Sequence, residues 1–284
     1  MTAEDVLAVV VSYNGLHKTR QTVDALRGQV GHVVIVDNGS LPESLAILQS
    51  LEHEPGITVE LLGENRGIGH ALNVGVRRAR ERGSFWLLTM DQDSVVDASL
   101  IQAYGTAVQG DAGRVCLAPS IANNGRKREP ATTVVRYAIT SGNLVRVSLF
   151  DEIGLYDEGF FIDCIDFDFS LRVRRAGHAV HRVPDASMHH ELGETLAVPA
   201  WLRRFYARHS PVRRYYMTRN LMYLAERYVL RFPVFIVKLG VLQILLTLLV
   251  GFFDPSPLRS YRAMARGIRD YLARRTGPYV ERAR

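Results

Sequence analysis

Asp91 and Asp93 stand one residue apart in Thr89-Met90-Asp91-Gln92-Asp93-Ser94, directly after an apolar run that reads as a strand. Two carboxylates so spaced, offering only oxygen, suit a hard divalent cation that keeps several waters and takes substrate phosphates as further ligands, hence Mg²⁺ or Mn²⁺. The same Asp-x-Asp also suits a turn or a helix cap. Downstream, His190 of His189-His190 offers a nitrogen ligand to that cation or a donor to a diphosphate; the bland alternative is a structural histidine. A second acidic cluster, Asp163, Asp166 and Asp168, alternates with aromatic and aliphatic residues ahead of a helical stretch. These carboxylates either cap that helix or, in an apolar pocket, supply a base that takes a proton from a hydroxyl.

Three more segments carry polar groups where strands end. They are Ser12-Tyr13-Asn14, Asp37-Asn38-Gly39-Ser40 and Gly63-Glu64-Asn65-Arg66-Gly67-Ile68-Gly69. In a parallel sheet the first two reach the same edge as Asp91, Gln92 and Asp93, where α/β proteins bind ligands. A carboxylate there accepts from a pyrimidine N–H or a ribose hydroxyl, although Asp37-Asn38-Gly39-Ser40 also has the composition of a plain turn. The loop with Asn65 and Gly67 lets backbone approach a nucleotide. It has no Gly-Lys-Ser/Thr ending, and Leu72 stands where a dinucleotide fingerprint needs a small residue, which argues against an NAD enzyme. Further on, Arg214, Tyr215 and Arg219 form either a basic helix face or a clamp on a diphosphate or sugar.

The elements that must position these groups alternate in type. Strands are expected over 6–12, 32–36, 57–62, 84–90 and 114–118, with helices over 16–27, 41–52, 69–82 and 98–108 between them. That is the pattern of βαβ units around a mostly parallel, Rossmann-like sheet. A polar stretch at 123–128 precedes an expected strand at 132–140, a short helix or turn at 145–153, a helix at 166–176 and a strand at 178–183. Two helices follow, 211–231 and the strongly apolar 233–253. The expected division is a catalytic α/β domain over 1–205 and a helical, basic segment over 206–284.

Charge divides the chain as well. Residues 201–284 hold 17 Lys/Arg against 4 Asp/Glu, a net +13, whereas the first 200 carry −7. Such a basic end favours an anionic membrane surface or nucleic acid. No zinc pattern or recognition motif accompanies it, so nucleic acid is not the expected partner. The apolar 233–253 stretch has the length of a membrane span, but Lys238 and the Arg-rich flanks suit an interfacial helix; a buried helical hairpin or homo-oligomer interface is the alternative. Arg259, Arg262, Arg266 and Arg269 recur at three- and four-residue spacing, as one helix face would. Two distant cysteines fit a reducing cytoplasm, and the acidic start reads as no secretion signal.

Taken in order, these pieces resemble glycosyltransferase family 2, and within it the bacterial rhamnosyltransferases. The resemblance rests on Val9–Asn14, Val36–Ser40, Asn65-Arg66-Gly67, Asp91-Gln92-Asp93, Phe161–Asp166 with Leu171-Arg172, His190-Glu191-Leu192-Gly193 and Arg214-Tyr215-Tyr216 with Arg219-Asn220, spanning about residues 6–225. It implies a GT-A fold with Asp37 near the base, Asp91 near the ribose or metal, and Asp93 as main metal ligand. It places the catalytic base at Asp166, with Asp163 as rival because Ile165 stands where many relatives have Glu. It also implies inverting transfer of L-rhamnose from dTDP-β-L-rhamnose to a cell-surface polysaccharide, such as O-antigen, or to a polyprenyl-diphosphate-linked acceptor at the inner face of the cytoplasmic membrane. The alternatives are a UDP-sugar donor or a non-catalytic nucleotide-sugar or polysaccharide binder.

Overall fold

The structure is a computed structural model and describes residues 1–121, 130–190 and 209–280. It divides into two compact units, Met1–Glu158 with Asp166–Glu191, and Gly159–Ile165 with Leu192–Arg284. The chain therefore visits the second unit briefly at Gly159–Ile165 before settling there. The boundary expected at 205/206, the polar stretch at 123–128 and the Glu191-Leu192-Gly193 part of the His190 motif lie outside the described residues.

The first unit is built on a nine-stranded sheet of order β3-β2-β1-β4-β8-β6-β9-β5, with β7 beside β9. Four strands lead: β1 (Val6–Ser12), β2 (His32–Asp37), β3 (Ile57–Leu61) and β4 (Trp86–Asp91). They are mutually parallel, joined by α1 (His17–Leu26), α2 (Pro42–Glu52) and α3 (Ile68–Arg82). All seven residues of β1 are buried. Being covered on both faces explains its unbroken apolar run in place of alternation. On one face Val6, Ala8 and Val10 join a core with Leu26, Ile35, Leu88 and Tyr104. On the other, α3 comes so close that a Cβ on Gly75 would meet the Val9 side chain at 2.5 Å. Helix α3 stops at Gly83, in the left-handed region at φ 71°, whose N–H returns to the Ala79 and Arg80 carbonyls.

The rest of the sheet is mixed. It comprises β5 (Ser94–Val96), β6 (Cys116–Ile121), β7 (Thr133–Val135), β8 (Asn143–Arg146) and β9 (Val180–His190), with α4 (Leu100–Gly110), α5 (Leu149–Ile153) and α6 (Ile165–Arg175). Here the sequence reading needs correction. The strand expected at 132–140 shrinks to β7, and the stretch expected as helix or turn begins as β8 before turning into α5. Strand β5 was not expected at all. Strand β9 runs seven residues past Val183, where Pro184 should have ended it; the β6–β9 register jumps from Pro119↔Val183 to Ser120↔Ser187, so the proline lies in a bulge and pairing resumes beyond it.

The second unit contains α7 (Pro211–Tyr228), α8 (Pro233–Phe253) and α9 (Pro257–Leu272). Ser210 caps α7, its hydroxyl accepting from the Arg213 N–H, and proline opens each helix, where a missing N–H costs nothing. Helix α8 is long and apolar enough to cross a membrane and is mostly exposed within the described structure.

Candidate active site

Parallel register brings the polar strand ends to one edge of the sheet. Ser12 is paired with Asp37, and Val11 with both Val36 and Asp91. The loops beyond these ends are tied to each other. Gln92 accepts from the Tyr13 N–H at 2.7 Å and donates to the Tyr13 carbonyl at 3.0 Å, so its amide mimics a strand partner. Asn14 donates from its backbone to Ser40 Oγ and accepts from the Leu41 N–H, both at 2.8 Å. Asn38 accepts from the Arg66 N–H at 2.8 Å, and Asn65 from the Gly67 N–H at 3.0 Å. Gly39 is required here: its φ is +82°, and a Cβ would meet the Glu64 backbone at 2.6 Å.

Ser12, Asp37 and Asn38 are almost fully buried, whereas Tyr13 is exposed. Asp37 Oδ2 accepts the Gly39 and Ser40 N–H groups, and Oδ1 accepts the Ser40 hydroxyl. The turn reading of Asp37-Asn38-Gly39-Ser40 is thus realised in the structure. Gln92, Asn38 and Asn65 spend their bonds on shaping the edge around Tyr13 and Asn14.

Beside this edge, ligand atoms of Asp91, Asp93 and His190 all lie within 4.8 Å of one another, each residue partly buried. The extension of β9 brings His190 here, because Ser94 of β5 pairs with His190 in antiparallel register. A hydrogen-bonded series ties the group down. The Asp91 N–H donates to Ser141 Oγ at 3.1 Å, Ser141 donates to Ser94 Oγ at 2.7 Å, and Ser94 Oγ lies 2.8 Å from His190 Nδ1. Ser94 and Ser141 are fully buried. In the sequence Ser94 stands out only as the residue after Asp93, and nothing marks Ser141. Asp93 Oδ1 lies 3.6 Å from His190 Nδ1 and, though buried, has no hydrogen-bond partner among the described residues. Two carboxylates and an imidazole around such an oxygen fit Mg²⁺ or Mn²⁺.

The second acidic cluster separates into three environments. Asp168 is buried and accepts from Arg172 Nε at 2.8 Å, one turn along α6, while Arg172 Nη1 donates to the Ile153 and Gly154 carbonyls. Its role is structural. Asp166, in the first turn of α6, accepts from the Phe167 N–H at 2.9 Å and is partly buried. Asp163 belongs to the helical unit, where Arg213 Nη2 donates to it at 3.1 Å. Burial raises the Asp163 carboxyl above the usual range, outweighing the opposing pull of Arg213.

Residues 7–161, more than half of the chain, match the sequence model of Glycosyl transferase family 2. The chain belongs to that family. As a family 2 glycosyltransferase it is 29% identical over 252 residues to the "dTDP-rhamnosyl transferase RfbF" of Shigella flexneri, covering 78% of this chain and 80% of that protein. It is 32% identical over 95 residues to the "Succinoglycan biosynthesis protein ExoO" of Rhizobium meliloti (strain 1021), covering 32% of this chain and 26% of that one. Among solved structures, TarS 1-349 of S. aureus in complex with UDP-GlcNAc superposes with TM-score 0.56 at 15% identity over 95% of this chain and 73% of that one. GalNAc-T7 with UDP, GalNAc and Mn2+ gives TM-score 0.57 at 17% identity, covering 65% of this chain but only 43% of that one. The fold is GT-A, a mostly parallel α/β sheet, here followed by C-terminal helices.

In this glycosyltransferase Arg214, Tyr215 and Arg219, which the sequence offers as a basic helix face or a clamp, do not form an exposed face. All three are buried in the helical unit. Arg214 Nε donates to Asp254 at 3.0 Å, the Tyr215 hydroxyl donates to Asp270 at 3.1 Å, and Arg219 Nη1 donates to the Gly277 carbonyl at 2.8 Å. A cation without water needs a counter-charge or a full set of hydrogen bonds; Arg214 has its carboxylate in Asp254, and Arg219 is hydrogen-bonded to neutral groups and lies over the Tyr215 and Tyr216 rings. The expected four-arginine face of α9 also loses a member: the Arg266 guanidinium lies 4.1 Å from the Tyr279 ring centre and 3.5 Å from Asp270, while Arg259, Arg262 and Arg269 stay exposed.

Proposed function

We propose that this chain is an inverting, metal-dependent glycosyltransferase that moves L-rhamnose from dTDP-β-L-rhamnose to a hydroxyl of a cell-surface glycan or polyprenyl-diphosphate-linked acceptor. The observation that carries the reading is the Asp91, Asp93 and His190 group at the carboxyl edge of a family 2 sheet. The rhamnosyl donor is supported by the similarity to RfbF. Held by those three residues, Mg²⁺ or Mn²⁺ would neutralise charge on the departing diphosphate. Ser12, Tyr13, Asn14, Asp37 and Asn38, with Asn65 and Gly67, frame the nucleoside side of the edge. Asp166, with Asp163 as rival, accepts the proton of the acceptor hydroxyl. As that oxygen bonds to the anomeric carbon, the bond to the phosphate oxygen breaks and dTDP leaves with the electron pair. One displacement inverts the anomeric centre and needs no enzyme nucleophile.

The helical unit supports a place at an anionic membrane surface. The outward face of α8 shows Val234, Val237, Val241, Leu245, Leu248 and Phe252, with Lys238 in its early turns. Helices α7 and α9 pack against α8, and an apolar face on a helix packed along its other side, flanked by arginines, suits a helix lying in the interface.

A donor screen with dTDP-, UDP- and GDP-sugars, with and without Mn²⁺, tests the chemistry. Metal-dependent release of dTDP from dTDP-rhamnose supports the proposal. Preference for a UDP-sugar, the ligand class named with the TarS and GalNAc-T7 structures, keeps the transferase and discards the rhamnosyl donor. Flotation with vesicles of phosphatidylcholine alone or with phosphatidylglycerol tests the surface; a protein that floats with neither and sediments as a dimer assigns the α8 face to a second copy.

A further inference from the structure

The loop that presents Asp163 and continues into the first turn of α6 is held in an unfavourable backbone conformation. Phe161, Asp163 and Cys164 have φ of 64°, 61° and 66°, the left-handed region, and none is glycine. Such residues persist only where surroundings over-determine them, and they concentrate at functional sites. Here the surroundings are mainly one helix, α7, with the Gly277 N–H adding a bond to the Gly159 carbonyl at 2.8 Å. Asn220 Nδ2 donates to the carbonyls of Phe160, Ile162 and Asp163 at 2.8, 2.7 and 3.1 Å. Arg219 Nη2 donates to those of Gly159 and Phe160 at 3.1 and 3.2 Å. Its Nε donates to Asn220 Oδ1 at 3.0 Å, which fixes the amide so that both its hydrogens face the loop. Tyr216 stacks on Phe161 with ring centres 5.1 Å apart, and Arg213 holds the Asp163 carboxylate. Both Arg219 and Asn220 are fully buried.

We propose that Arg219 and Asn220 are positioning residues for glycosyl transfer: they clamp the left-handed loop at Gly159–Cys164, and with it the carboxylate that accepts the acceptor's proton. The inference rests on the proposed catalytic role of Asp163 or Asp166. Apart from Arg219 Nη1, which donates to the Gly277 carbonyl, the pair sends its carbonyl-directed donors to this loop, at Gly159, Phe160, Ile162 and Asp163. Toward the loop Arg219 and Asn220 donate to backbone carbonyls, so what they hold is the path of the chain that carries the base.

The test compares the full-length wild type with Asn220→Ala and with Asn220→Ser, which keeps one hydroxyl donor. Four quantities are read: the melt, dTDP affinity by calorimetry, deuterium uptake over 159–166, and kcat and KM for dTDP release from dTDP-β-L-rhamnose with Mn²⁺. The expected result for Asn220→Ala is a retained cooperative melt, unchanged dTDP affinity and donor KM, faster uptake confined to 159–166, and kcat lower by about a hundredfold, the cost of an ångström-scale misplacement. Asn220→Ser should recover part of kcat. Unchanged kcat, or parallel loss of melt, dTDP affinity and kcat in both variants, overturns the positioning role. If Asn220→Ala does not fold, Asn220→Ser decides by the same criteria. A wild type that binds dTDP but turns over no nucleotide sugar overturns the functional reading instead, and one that is active while Asn220→Ala matches it overturns only the clamp.

Discussion

The sheet unit and the helical unit use the same charged residue types to opposite ends. At the sheet edge, Asp91, Asp93 and His190 sit partly exposed, and Asp93 keeps a buried oxygen without a hydrogen bond. In the helical unit, Arg214 closes on Asp254, while Asp270 meets the Tyr215 hydroxyl and lies 3.3 Å from Arg275. Buried charge is tolerated only when paired, so a satisfied cluster is a structural joint and an under-satisfied one is where a ligand adds most. Motif residues that look alike in sequence separate on that criterion. Asp93 keeps an oxygen that a cation could take, whereas Arg214 and Arg219 have spent their donors on the protein.

Variants on the two sides should therefore fail differently. The largest effect is expected from the base: Asp166→Asn should lower kcat by about a thousandfold while sparing dTDP binding. A greater loss from Asp163→Asn moves the role there, and the acid limb of kcat should then lie above the ordinary carboxylate range, because burial raises that carboxyl; Arg213→Gln would push the limb higher still by removing the charge that opposes the rise. Next comes Asp93→Ala, for which we expect kcat/KM to fall by about two to three orders of magnitude and the Mn²⁺ bound in electron paramagnetic titration to disappear. Full activity after exhaustive chelation would remove the metal from the reading. On the other side, Arg214→Gln should cost about 3 kcal/mol of stability by stranding the buried Asp254 carboxylate. Its folded fraction should bind dTDP like wild type, and a selective loss of dTDP affinity without a lower melting temperature would restore the clamp reading.

How much of this was legible in sequence followed the range of the interactions involved. Strands β1 to β4 and helices α1 to α4 announce themselves because each is a continuous apolar run or a helical stripe, properties a short window contains. Strand β5 has three residues and exists through pairing with β9 nearly a hundred positions away. Pro184 concealed the length of β9, since a bulge is a tertiary remedy. Asp91 and Asp93 were visible as a local pair, whereas the Ser141–Ser94–His190 series requires three segments to meet. The left-handed residues at 161, 163 and 164 carry no glycine to signal them, and Arg219 reads as surface because arginine is so seldom buried outright.

Two smaller effects sharpen the contrast. Ser94→Ala removes the hydroxyl beside His190 Nδ1 and should weaken Mn²⁺ binding by about tenfold, the usual scale for a group that orients a metal ligand; unchanged affinity would make the serine series a packing feature only.

The other effect falls on the helical unit, whose surplus of cations leaves His209 in a hostile place. Burial, and then the charges of Arg213 and Arg214, lower its folded-state pKa to about 4. In the unfolded chain a histidine protonates near pH 6.5. Between those values the unfolded state binds the extra proton, so stability should fall as pH drops from about 6.5 toward 4 and lose nothing more from this group below that. His209→Gln should flatten that part of the curve in urea denaturation at pH 7, 5 and 4, without changing Mn²⁺ or dTDP binding at pH 7. An equally steep loss in the variant would mean that the acid sensitivity resides in groups other than this histidine, and that the cationic packing around it is not where this protein is most vulnerable to protons.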